Sequence, residues 1–306
     1  MKATTHCVLL FLLGLSQGCG ATTKTPVTAS SVNIRTDLVV IDGRTGDHMT
    51  WGAALSRMRG ADIIVVGEQH NDATGHAAQL AITEDVLTGG HGALSMEMLE
   101  RDEQILVEDY RDGVIDAKTF ASLTNSTDWS GTGSWAAWYH PVVDAAIERD
   151  AAVIAANAPR RYVKRARSVG WESIDALDAT RRDFVSHPDT LSTGPYRDRF
   201  FDLMGGHDPD GGADVELIES FFRAQQVWDA TMARSTVDAL GAYGSPVILL
   251  IGRFHSDHGG GTVEQIKRRA PAARVVIISL EPACDEVVAN TSLPQADLIM
   301  CTKPLR

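Results

Sequence analysis

Positive charge is what this sequence is short of. Its 306 residues hold 28 Lys and Arg against 40 Asp and Glu, giving a formal net charge of -12 and a pI near 5.2. Phosphate backbones demand a local excess of cations, so nucleic acid is not an expected partner. The one dense basic run, residues 160–167, reads as a solvated helix face or a foothold for a single anionic group such as a carboxylate. Cysteine is scarce too: four in all, with none of the paired spacings that hold zinc. No apolar run is long enough to cross a bilayer as a helix, and internal repeats are absent. What remains is an ordinary globular composition, 44% hydrophobic and 22% charged, long enough for one large domain or a domain with an insertion.

The longest apolar stretch lies at the start. Residues 8–15, VLLFLLGL, are followed by Ser16-Gln17-Gly18-Cys19. A short apolar core ending in small residues is an export signal, and a small residue directly before cysteine resembles a bacterial lipoprotein signal. The expectation is a signal at residues 1–18, lipidation at Cys19, and a flexible Thr/Ser/Ala-rich tether over residues 19–36. Plain secretion is the alternative, and either places the protein outside the cytoplasm, on a periplasmic or outer-membrane face. Cys284 and Cys301 would then be free to pair in an oxidising compartment, or Cys301 is an ordinary buried thiol.

Short apolar runs alternate with helical patterns along the rest of the chain. Strands are predicted at residues 38–41, 63–66, 93–98, 153–156, 247–251, 275–279 and 298–301. Most are apolar throughout, as strands are when both faces of a parallel sheet are covered. Helices are predicted over 77–87, 142–149 and 215–240. No strand appears between residues 157 and 244, which is far longer than a crossover needs. The fold class is therefore α/β: a mostly parallel sheet flanked by helices over residues 37–160 and 214–306, with a small inserted helical subdomain over 161–213.

In such sheets, ligands bind beyond the carboxyl ends of the strands. The predicted strand at 63–66 runs straight into Gly67-Glu68-Gln69-His70-Asn71-Asp72. The strand at 93–98 carries Glu97, that at 153–156 empties into Asn157, and that at 247–251 into Gly252-Arg253-Phe254-His255. Two exits share Gly-x-x-His, in which glycine permits a tight turn and the imidazole is thrown over the sheet edge. Groups that are costly to desolvate rarely collect at strand tips without a task. Two imidazoles with Glu68 and Glu97 on one rim could hold a divalent ion or act as acid and base. His76 could look back at the same place from the next helix. Gly259-Gly260-Gly261 could offer amides to an anion. Gln225, Asp229 and Met232 fall on one helix face, where Asp229 needs a partner such as a rim histidine.

Taken in order, Gly67-Glu68-x-His70-Asn71-Asp72, Ser95-Met96-Glu97-Met98, Asn157-Ala158-Pro159-Arg160, Ala224-Gln225 with Asp229 and Met232-Ala233, and Gly252-x-x-His255 resemble the ChaN family of haem-binding, iron-regulated lipoproteins. That family shares a superfamily with Tiki, TraB and erythromycin esterase proteins, and the resemblance covers about residues 38–280. It implies haem at a homodimer interface, a tyrosine as axial ligand, and a role in haem or iron uptake. Tyrosinate suits ferric haem. Tyr196, in the inserted segment, is the expected ligand, with His207, His70, His76 and His258 as further haem contacts. The same superfamily implies an alternative, a metal-dependent hydrolase. There His70, Glu97, His255 and Asp229 would hold Mn, Co or Zn, while Glu68, His70, Glu97 and His255 carry the catalysis.

Overall fold

The structure is a computed structural model that describes residues 26–205, 214–282, 284 and 294–303. Cys19 and His207, and with them the expected signal, lie outside the described residues. From Pro26 the chain, expected to be tether up to residue 36, runs against the domain. Val27 N donates to Thr132 O at 3.0 Å, Trp138 Nε1 to Thr28 O at 2.8 Å, and Arg35 pairs with Glu84 and Asp85.

The described strands form one eight-stranded sheet, in the order β2-β1-β8-β7-β3-β6-β4-β5. They are β1 Val39–Asp42, β2 His48–Met49, β3 Ile63–Glu68, β4 Ala93–Glu100, β5 Ala152–Asn157, β6 Val247–Gly252, β7 Val275–Glu281 and β8 Leu298–Cys301. Strands β3 to β8 run parallel, while β1 pairs antiparallel with both β2 and β8. Every residue of β3 and β6 is buried, because successive side chains enter two different cores. Ile64, Val66, Ile248 and Leu250 face one layer with Ile82, Trp135 and Val142. Ile63, Val65, Leu249 and Ile251 face the other with Met232, Val263 and Ile266.

Six helices frame the carboxyl edge of the sheet and the insertion: α1 Ala73–Val86, α2 His140–Ile147, α3 Arg160–Val169, α4 Pro195–Leu203, α5 Val215–Tyr243 and α6 Gly261–Arg269. Helix α1 starts earlier than its apolar spacing predicts, because Asp72 caps it: Oδ1 accepts from Thr74 N at 3.1 Å. The motif's last residue is thus a helix cap. In place of a strand, the described residues 158–205 hold short helices on α5. Tyr162, Val163 and Ala166 pack with Ala224 and Val227, and Tyr196, Phe200 and Phe201 with Phe221 and Phe222. Cys284 and Cys301 are disulfide-bonded, tying β8 to the chain beyond β7.

Candidate functional site

Parallel register brings the predicted residues together. Glu68, the last residue of β3, stands opposite Gly252, the last of β6, and β4 flanks β6 on the other side. The two Gly-x-x-His glycines make room for each other's strands. A Cβ on Gly252 would lie 3.0 Å from both Cε1 and Nε2 of His70, and one on Gly67 would lie 2.9 Å from Arg253 Cα.

Each histidine is backed by a carboxylate. His70 Nδ1 lies 2.7 Å from Glu68 Oε1, and His255 Nδ1 lies 2.6 Å from Asp229 Oδ1. Each carboxylate is held in turn by a buried phenol: Tyr139 donates to Glu68 Oε1 at 2.7 Å and Tyr196 to Asp229 Oδ2 at 2.7 Å. Glutamines complete both chains. Gln79 Nε2 donates to Glu68 Oε2 at 2.5 Å, and Gln225 Nε2 donates to the Tyr196 hydroxyl at 3.1 Å. Thr262 adds a bond of 2.8 Å to Asp229 Oδ1. The result is two phenol–carboxylate–imidazole chains arriving from opposite faces of the sheet, Tyr139 beside α2 and Tyr196 in α4.

Glu97 stands between them. Its Oε2 accepts from Gly252 N at 2.5 Å, and its Oε1 lies 3.8 Å from His255 Nε2. Burial alone would lower both histidines, yet Glu68 and Glu97 raise His70 above its usual value, with His255 opposing. Asp229 and Glu97 likewise raise His255 against burial. Glu68, although buried, is pulled down to about 2 by the imidazoles of His76 and His70 and by the bond from Gln79. Beside Glu97 opens a cavity of about 200 Å³ lined by Met98, Trp129, Asn157 and Arg160, together with Glu100 and Glu103. Trp129 meets His70 edge-on, with ring centroids 4.9 Å apart.

Several expectations need correction. Tyr196 is 4% exposed and its hydroxyl is committed to Asp229. Burial and that carboxylate push the phenol well above its usual value, so a tyrosinate is disfavoured there. His76 is not on the rim: it is 2% exposed, stacks on Trp138, and binds Gln79 Oε1 and the His70 carbonyl. His258 sits half-buried on the loop before α6, at φ 61°, its amide bonded to Gln295 O. Gly261 serves close packing, since a Cβ there would lie 2.9 Å from Asp229 Oδ1 and 2.7 Å from His255 O. His70, Glu97, His255 and Asp229 do not form a metal-ligand set. Among the described residues no three His, Cys, Asp or Glu side chains are grouped to hold an ion, because the donors are spent on each other.

Sequence reasoning missed Tyr139, Gln79, Thr262 and Trp129. Only Gln79 left a signal, lying three residues after His76 on one helix face.

Residues 54–266 match the model of a family described as haem-binding uptake, Tiki superfamily, ChaN. Among solved structures, ChaN of Campylobacter jejuni, which binds haem cofacially, is 18% identical. The match covers 88% of this chain and 98% of that one, with a TM-score of 0.66. A succinoglycan biosynthesis protein matches at 12% identity over 81% of this chain and 73% of its own, with a TM-score of 0.44. The type III effector HopBA1 matches at 11% identity over 88% and 97%, with a TM-score of 0.42. No curated protein matches. With the family model spanning most of the chain, this protein belongs to the ChaN family of haem-binding uptake proteins in the Tiki superfamily.

Proposed function

We propose that this chain binds haem and serves haem or iron uptake from the cell envelope, as an exported lipoprotein anchored through Cys19 and acting as a homodimer. The observation that carries the reading is the family match over residues 54–266. The donors on the rim fit an imidazole contact and do not fit a tyrosinate. His70 has 30% of its side chain exposed and its Nδ1 backed by Glu68, the support that iron-ligating histidines ordinarily have. Bound haem would supply an iron centre, and the chain's own part is to orient this imidazole and keep bulk water from Asp229 and Glu68. Titration with hemin tests the proposal: a Soret band shifted from free hemin is expected, and an unshifted band overturns it.

A second reading rests on a separate observation, the convergence of two carboxylate-backed imidazoles on Glu97. His70 would take a proton from water, with Glu68 fixing its tautomer. His255, held between Asp229 and Glu97, would give one to a leaving group. This hydrolytic reading draws only on side chains present. Ester turnover that persists in chelator and disappears in His255→Ala is the result it requires.

A further inference from the structure

Away from the rim, three arginines converge on residues 183–186. Arg101, following β4, donates Nε to the Asp183 carbonyl at 3.1 Å and Nη1 to Ser235 Oγ at 2.6 Å. Arg234, on α5, donates Nη2 to the same carbonyl. Arg269, the last residue of α6, donates Nη2 to Ser186 Oγ at 2.8 Å. Every acceptor is neutral, and none of the three forms an ion pair among the described residues. Arg234 Nε is buried without any hydrogen bond.

A chain with 40 acidic and 28 basic residues has no shortage of carboxylates to pair with these groups. Arg101 and Arg234 are half-buried while Arg269 is exposed; half-buried guanidinium groups are ordinarily paired, so leaving two of them on carbonyls and a hydroxyl is costly. Burial, and then the positive charge of Arg234, hold both Arg101 and Arg269 below the ordinary arginine value. Asp183, Asp189 and Asp238 offset part of this, but all three carboxylates belong to exposed residues.

A cavity of about 400 Å³ lies against this cluster, with Arg182, Arg234, Ser186 and His187 in its wall. Its acidic members are Asp175, Asp183 and Asp189. Asp175 is taken by His187 Nε2 at 3.1 Å, and His187 is fixed by stacking on Trp171 with centroids 4.9 Å apart. Ser186 Oγ accepts from Arg269, which leaves its own proton to donate. Beside the exposed carboxylates of Asp183 and Asp189, the wall thus offers two guanidinium groups and a hydroxyl, and Arg101 and Arg269 bond to its Asp183 carbonyl and Ser186 hydroxyl.

We propose that this cavity binds a small multivalent oxyanion of the phosphate class, held by Arg182, Arg234 and the hydroxyl of Ser186. Planar guanidinium donors match tetrahedral oxyanions, and a bound dianion would relieve the repulsion within the cluster.

The test is thermal unfolding and calorimetric titration with inorganic phosphate, against chloride at matched ionic strength. Phosphate is expected to raise the melting temperature saturably, through ligand linkage. Loss of one charge-assisted contact in Arg234→Gln or Arg182→Gln should weaken phosphate binding by about tenfold or more. Arg182 is exposed, so its variant keeps the test valid if Arg234→Gln fails to fold. Glycerol phosphate acting like inorganic phosphate would assign the site to phosphate esters as well as the free ion. The proposal is overturned if phosphate stabilises no more than chloride, if Arg182→Gln binds phosphate as the parent does, or if succinate stabilises where phosphate does not.

Discussion

Gly252 and His70 pack face to face across the β3–β6 pair, and a side chain at position 252 would fit only if the imidazole gave way by a few tenths of an ångström. A methyl group there would sit 3.0 Å from His70 Nε2 and 3.5 Å from Glu97 Oε2. Gly252→Ala should therefore swing the imidazole out of the rim at a cost of about 1 kcal/mol or more. Gly67→Ala should be worse, because it meets Arg253 Cα, which is backbone, at 2.9 Å. Denaturant unfolding of both variants checks the order, and equal stability of the two would contradict it.

Phenol removal separates structure from haem ligation. Tyr196→Phe takes one donor from Asp229, which keeps His255 and Thr262. Tyr139→Phe takes one from Glu68, which keeps His70 and Gln79. Each should cost about 1–3 kcal/mol, the penalty of under-satisfying a buried carboxylate. Neither should move the Soret band of hemin-loaded protein, whereas His70→Ala should. A tyrosinate charge-transfer band that vanishes in Tyr196→Phe would reverse this assignment.

The contrast between what the residues foretold and what they hid has one physical source. Seven strands are legible because burial on both faces writes a continuous apolar run, as in Ile63 to Val66. Strand β2 is not, since a two-residue edge pairing at His48–Met49 leaves no pattern. Glu68, His70, Glu97 and His255 are legible by strand-exit logic. Tyr139 is not, because it reaches Glu68 from 71 positions away through tertiary packing. Tyr196 drew notice as a ligand, yet its partner Asp229 lies on a different helix, and only packing shows that the pair consumes the hydroxyl.

Glu103 sets a stability trend on the alkaline side. Burial raises its carboxyl from the usual 4.5 to about 8, helped by Glu100 and Asp102 and resisted by the bond from Glu100 N. The folded state therefore holds a proton that the unfolded chain has released between those values, so stability falls as pH rises through that window. Glu103→Gln keeps an oxygen for Glu100 N, which lies 2.6 Å from Oε2, and removes the titration. It should match the parent near pH 5 and exceed it near pH 8. Parallel melting curves for parent and variant across this range would refute the assignment.

Glu68 acts in the opposite direction. Its carboxyl falls from the usual 4.5 to about 2 on folding, so the folded state binds fewer protons than the unfolded chain between those values. Its contribution is whole above pH 4.5 and drains away as pH falls toward 2, on the order of 3 kcal/mol in all. Glu68→Gln removes that slope, but it also turns an amide donor toward His70, Tyr139 or Gln79, which all need an acceptor there. The variant should be less stable than the parent at pH 7 and lose the gap as both approach pH 2. Urea midpoints at several pH values measure this, and a gap that stays constant down to pH 2 would show that Glu68 is not held ionised by the imidazoles beside it.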